Sequence, residues 1–153
     1  MIVKNLCNKY KSDIKYNTSL ILSEIVAPFG AAVAAYLSYE SNLNKYASSA
    51  VGGIIGNYVS ASLIFWTAWH LLNKEVYLKN NTRFFREILE MAAKNLVPAA
   101  ISYLVYFPIS IGFTYYNFTP PKAAFYASIL SALIFIGGSN IANQRIIKSY
   151  RSS

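Results

Sequence analysis

A chain of 153 residues has the length of one modest soluble domain, but 55% hydrophobic and only 13% charged residues leave too few charges to cover a water-exposed surface. The mean hydropathy is +0.33 and 14 Lys and Arg against 6 Asp and Glu give a net charge of +8. In a soluble protein that balance would point to nucleic acid. Here the basic residues lie almost wholly outside the apolar runs, where they suit anionic lipid headgroups and topology control, so no nucleic-acid partner is expected.

Residues 1–15 have no apolar core ending in a small-residue cleavage site and do not read as a secretory signal. They space Ile2, Leu6, Tyr10 and Ile14 four apart, with Lys4, Lys11 and Lys15 elsewhere around the wheel. That pattern fits a short helix on the membrane surface or a disordered tail. Cys7 is the sole cysteine, so there is no internal disulfide and no cysteine metal cluster, and it reads as a free thiol. The first span is expected over 19–39, with Glu24 its single charged side chain, and the second over 46–70, with no Asp, Glu, Lys or Arg.

A basic middle loop follows. Within it, residues 82–94 form an amphipathic segment that Thr82 can cap, with Arg83–Glu87 and Arg86–Glu90 as i,i+4 pairs. The segment serves as an interfacial lead-in to the third span or as a lid over a vestibule. The third span, 96–117, contains Pro98 and Pro108, with a kink expected near the second. A short FTPPK turn then leads into the fourth span, 123–142, which makes the last two spans antiparallel neighbours.

The fold expected is all-α and a single domain: an integral membrane four-helix bundle, up-down-up-down, with short amphipathic interfacial helices. Orientation follows from the basic residues. Lys4, Lys9, Lys11 and Lys15 precede the first span, Lys74, Lys79, Arg83, Arg86 and Lys94 lie in the middle loop, and Arg145, Lys148 and Arg151 follow the last span. Only Lys45 and Lys122 lie in the other two loops, so both termini and the middle loop belong in the cytoplasm and the chain in the plasma membrane. Trp66 and Trp69 are expected at the inner interface, and Tyr39, Tyr46, Tyr115, Tyr116 and Phe118 in an outer belt.

Small residues offer close-packing stripes: Gly52, Gly56 and Ser60 in span two, Ala27, Gly30 and Ala34 in span one, and Ala124, Ser128 and Ala132, then Gly138 and Ala142, in span four. They serve either inside one bundle or between subunits. Pro28 and Tyr36 match Pro98 and Tyr106 at an offset of 70 residues, a faint sign of a duplicated hairpin.

Glu24 is the main candidate for chemistry, because a carboxylate inside a span is costly and rare. With His70, Asn95, Asn140 and Asn143 it is expected to form a polar layer towards the cytoplasmic side. Two readings stand. One is a vestibule in which Glu24 takes a cation or proton and relays it with His70. The other is a structural hydrogen-bond cluster. Asn57, Ser60, Ser62, Ser102, Tyr103, Tyr106 and Ser110 could add polar steps at other depths.

No HExxH, phosphate-cradling glycine loop, GxSxG or paired intramembrane carboxylates occur, so no catalytic residues, metal or cofactor are expected. The one enzymatic reading left is lipid modification through Glu24, His70 and Arg145. The function expected is a small transporter or permease-like protein, proton- or cation-coupled, surrounded by membrane lipids including anionic headgroups. It would act as a homodimer or other small homo-oligomer, because four helices enclose little volume. The alternative is a scaffold or accessory subunit binding another membrane protein. In layout, four spans with short outer turns and basic inner segments, the chain resembles the small GtrA-like proteins involved in moving lipid-linked sugars and the small bacterial amino-acid exporters. The likeness runs over nearly the whole chain but carries no residue roles.

Overall fold

In the computed structural model, which describes residues 11–79 and 81–149, many large apolar side chains point outward, while small and polar ones, with a few large rings such as Trp69, fill the interior. Leu104 and Leu133 are 74% and 76% exposed, whereas Ala27, Ala31, Ala124, Ser19, Ser128 and Ser131 are buried. Water would not tolerate such an exterior, and lipid requires it. Among the described residues, four helices are long and apolar enough to cross a membrane, so the chain is an all-α, multi-pass membrane protein.

Helix α1 covers Lys11–Glu40. A tight turn leads to α2 (Lys45–Ala47), a π-helical turn (Ser48–Gly52) and α3 (Gly53–Leu72), which run on from one another as the second span. The short α4 (Lys74–Lys79) precedes α5 (Asn81–Tyr115), and a second tight turn leads to α6 (Pro120–Ser149). The bundle thus has a turn end, with both tight turns, and a terminus end, with α4. Most of residues 1–15, including Cys7, lies outside the described residues, as does Arg151, and the side chains of Lys79, Arg145 and Lys148 are likewise not described.

The helices are longer than the apolar windows. Residues 82–94 are the first turns of a 35-residue α5 rather than a separate interfacial helix. No Gly or Pro interrupts the chain between Thr82 and Val97, Ala92 and Ala93 favour helix, and i,i+4 ion pairs at Arg83–Glu87 (2.7 Å) and Glu90–Lys94 (2.6 Å) support it. The helix continues through Pro98 and Pro108.

Both tight turns close in the same way. Asn42 (φ 67°) and Asn117 (φ 65°) take the left-handed conformation that Asn tolerates after a helix. The Leu43 amide then donates to the Ser38 carbonyl (3.2 Å) and the Phe118 amide to that of Phe113 (3.0 Å). These turns lie 75 residues apart, not 70, and Tyr36 is exposed where Tyr106 is wholly buried. The two hairpins therefore share a layout but not one residue register.

Helix α1 packs closely along both α3 and α6, and α5 along α6. A two-fold relation between the hairpins would repeat the α1–α6 contact between α5 and α3. Instead α3 and α5 touch only sparingly, and the bundle has one loose seam.

Candidate functional site

The tight side of the bundle explains where the loose side comes from. On the second span, Gly52 at the end of the π-helical turn and Gly56 and Ser60 of α3 all face α1. A Cβ on Gly56 would meet the Ala34 Cβ at 2.5 Å, one on Gly52 the Ser38 Oγ at 2.5 Å, and one on Gly30 the Ser60 Cβ at 2.5 Å and the Gly56 carbonyl oxygen at 2.7 Å. These residues draw α3 onto α1. Across the bundle, Gly138 makes room for Pro98, whose Cβ would lie 2.9 Å from an added Cβ, and so seats α5 on α6.

Between α3 and α5 this leaves a cavity of about 80 Å³. Its back wall is Leu20, Ser23 and Glu24 of α1. Its sides are Asn57, Tyr58, Ala61, Ser62, Phe65 and Trp66 of α3 and Ala92, Asn95, Leu96, Ala99, Ser102 and Tyr103 of α5, with Phe135 of α6. Ser23 and Ser102 are 1% and 3% exposed, but Tyr58 and Leu96 are 55% and 68% exposed, so the mouth opens sideways, toward lipid.

Glu24 is only 9% exposed. Among the described residues no hydrogen bond or ion pair reaches its carboxyl, and no Lys, Arg or His lines the cavity. Three neighbouring side chains donate or accept within the bundle. Ser23 donates to the Leu20 carbonyl (2.7 Å) and Ser102 to that of Ser131 (3.2 Å). Asn57 accepts from the Ser128 hydroxyl, and the Tyr103 hydroxyl lies against the Asn57 side chain and within the field of Glu24.

Polar clusters close the bundle on either side of the cavity. At the turn end, the Tyr106 hydroxyl is shared between the carbonyls of Ser49 (3.2 Å) and Ala124 (3.3 Å), and Thr114 bridges Ser49 Oγ and the Ser110 carbonyl at 2.8 Å each. At the terminus end, Tyr16 donates to the Ser139 carbonyl (3.2 Å). The Asn143 amide reaches the Tyr16 hydroxyl (3.0 Å), Asn95 Oδ1 (2.6 Å) and the Ser139 carbonyl (3.0 Å). The Tyr16 ring packs edge-on against Phe65 (5.6 Å) and Trp69 (6.0 Å).

The expected single polar layer is therefore divided. Asn95 and Asn143 meet, with Tyr16 as a partner that sequence reasoning missed. Its signal was available: Tyr16, Ser19, Leu20, Ser23 and Ala27 recur at helical spacing and continue the light stripe of α1. His70 is separated from Glu24. It stacks on Tyr77 (5.4 Å) and meets Phe84 edge-on (4.7 Å), where α4 folds back, and it does not line the cavity that Glu24 faces. Asn140 donates to the Ile136 carbonyl of its own helix (3.0 Å).

Trp69 is wholly buried in the core rather than at a lipid interface, and Trp66 lines the cavity. Tyr39, Tyr46, Tyr115, Tyr116 and Phe118 are exposed at the turn end. Near the terminus end, α4 is clipped to α5 through Glu87, which is 5% exposed, accepts from the Tyr77 hydroxyl (2.7 Å) and pairs with Arg83.

Among the described residues, no three His, Cys, Asp or Glu gather as a metal site. What remains is one buried carboxyl, without a partner, facing a lipid-side cavity. Compared with known proteins, the chain matches no family model, no curated protein and no solved structure.

Proposed function

We propose that this is a small transporter or permease-like protein whose cargo site is the lateral cavity, with Glu24 as the group that takes a proton or cation. The unpartnered Glu24 carboxyl carries the reading. Burying a charge is expensive unless it is paired and hydrogen-bonded. The Asn143 amide nitrogen, the Tyr16 hydroxyl and Asn95 Oδ1 find partners within the protein. Among the described residues the Glu24 carboxyl finds none, yet it faces open space, so the partner it needs comes from outside the bundle.

The charge count supports a chain in the cell membrane with both termini in the cytoplasm, which puts the Tyr16–Asn143 cluster on that side. A homodimer or other small homo-oligomer fits the small volume that four helices enclose.

The test is flux. Vesicles containing the purified protein and holding an imposed pH gradient are challenged with a panel of small organic cations, anions and neutral solutes. Protein-dependent movement of at least one of them, abolished by Glu24→Gln, is expected. A panel without flux, or flux that Glu24→Gln leaves intact, refutes the reading. A variant that lost only stability or the binding of a second membrane protein would transfer the chain to the scaffold class.

A further inference from the structure

Resting on the reading of the cavity as a cargo site, we propose that the cargo is an amphipathic organic monocation, an ammonium with an apolar tail, that reaches Glu24 sideways from the lipid through the α3–α5 seam.

Charge selects the head. The cavity lining holds one carboxyl and no Lys, Arg or His, so an anion would meet uncompensated repulsion and a neutral solute would leave the carboxyl without a partner. A bare inorganic cation such as calcium needs about six to eight oxygen ligands. Besides Glu24 the lining supplies only neutral hydroxyl and amide oxygens and no second carboxylate, a poor set for a multiply charged ion. An ammonium asks for less. One carboxylate balances it, and Tyr58, Phe65, Trp66 and Tyr103 line the same cavity, aromatic rings being the groups that attract a desolvated organic cation.

The route selects the tail. Along the bundle axis the cavity is flanked by the Tyr106–Ser49–Thr114 cluster on one side and by Tyr16, Asn95 and Asn143 on the other. Tyr16, Tyr106, Thr114 and Asn143 are all fully buried, so both clusters are closely packed. The seam is different: small side chains, Ala61 on α3 and Ala92 and Ala99 on α5, border it, and its outermost residues face the surroundings. A molecule using that mouth must dissolve in the bilayer, which a bare ammonium does poorly and a tailed one does well. At about 10–15 Å³ of such space per water, about 80 Å³ takes a head of a few heavy atoms and leaves the tail at the mouth.

The experiment uses the whole protein in lipid nanodiscs, with octyltrimethylammonium as the probe, octanesulfonate and octanol as charge controls, and tryptophan fluorescence from Trp66 as the signal. Saturable octyltrimethylammonium binding is expected, with both controls weaker by at least about ten-fold, the scale of one strong cation–π or charge contact. Glu24→Gln should weaken the ammonium by at least about ten-fold and Glu24→Asp should restore much of it. Ala99→Phe, which narrows the seam with the carboxyl intact, should also weaken it, so the outcome does not hang on one variant. Equal binding of the three probes, or full binding by Glu24→Gln, overturns the choice of cargo, and full binding by Ala99→Phe overturns the sideways route. The two proposals fail separately. Ammonium bound at Glu24 but never moved across vesicles sinks transport alone, whereas Glu24-dependent flux of a different solute class sinks this one alone.

Discussion

If α3 is held against α1 by missing side chains, returning one methyl should be costly at Gly56 and harmless at Gly112. A Cβ on Gly56 would lie 2.5 Å from the Ala34 Cβ and 2.8 Å from the Gly30 carbonyl carbon. Ordinary carbon contacts sit at about 3.5–4.0 Å. Neither obstacle is the end of a flexible side chain, so the helices must part by about 1 Å and give up packing along the whole contact. Overpacking of this kind costs about 1–3 kcal/mol, and the upper half of that range applies where the obstacle is backbone. At Gly112 an added Cβ would meet nothing within 4 Å among the described residues, and Gly→Ala in a helix gains up to about 1 kcal/mol. The two variants should therefore differ by about 2 kcal/mol or more, roughly 30-fold in the unfolding equilibrium. Titrating each with dodecyl sulfate in mixed micelles, with tryptophan fluorescence as the signal, reads that difference directly. Coincident midpoints for Gly56→Ala and Gly112→Ala would refute the packing argument. A Gly56→Ala chain that changed oligomeric state without losing stability would move the stripe to a subunit interface.

Tyr106→Phe removes the hydroxyl shared by the Ser49 and Ala124 carbonyls and should cost about 0.6–1.7 kcal/mol, the range of single interhelical hydrogen bonds in membranes. A Cβ on Gly53 would collide first with the Tyr106 hydroxyl, so Gly53→Ala should be better tolerated in the Tyr106→Phe background; additive effects in a double-mutant cycle would contradict the contact. Glu87→Gln weakens the clip between α4 and α5 by about 1 kcal/mol. Amide exchange over 74–79 should then speed up about five-fold in mass spectrometry while exchange in the spans stays unchanged.

Much of the architecture was legible because lipid imposes a simple demand. A run without charges, about twenty residues long, has few fates besides a span, and Gly52, Gly56 and Ser60 at four-residue spacing must share a face. The depth of a polar residue was readable in the same way, but its direction was not. Glu24, His70, Asn140 and Asn143 were all expected near one layer, yet each helix turns about its own axis to suit its neighbours. His70 faces Tyr77 and Phe84, and Asn140 faces its own helix.

Trp69 shows the same limit. Its place near a span end fitted an interfacial belt, whereas rotation of α3 carries it onto Tyr16 in the core. The cavity was hidden for a further reason. Ala61, Ala92 and Ala99 are unremarkable in their own helices and become an opening only once α3 and α5 stand side by side without touching closely.

The central claim is that Glu24 sits within the membrane at a cavity open to lipid. Carbodiimides of different solubility test it directly on membranes containing the protein. Dicyclohexylcarbodiimide, which partitions into lipid, should modify Glu24 and be blocked by octyltrimethylammonium, while a water-soluble carbodiimide should leave Glu24 untouched, as read by peptide mass spectrometry. Modification by the water-soluble reagent alone, or none at Glu24 by either, would contradict the account.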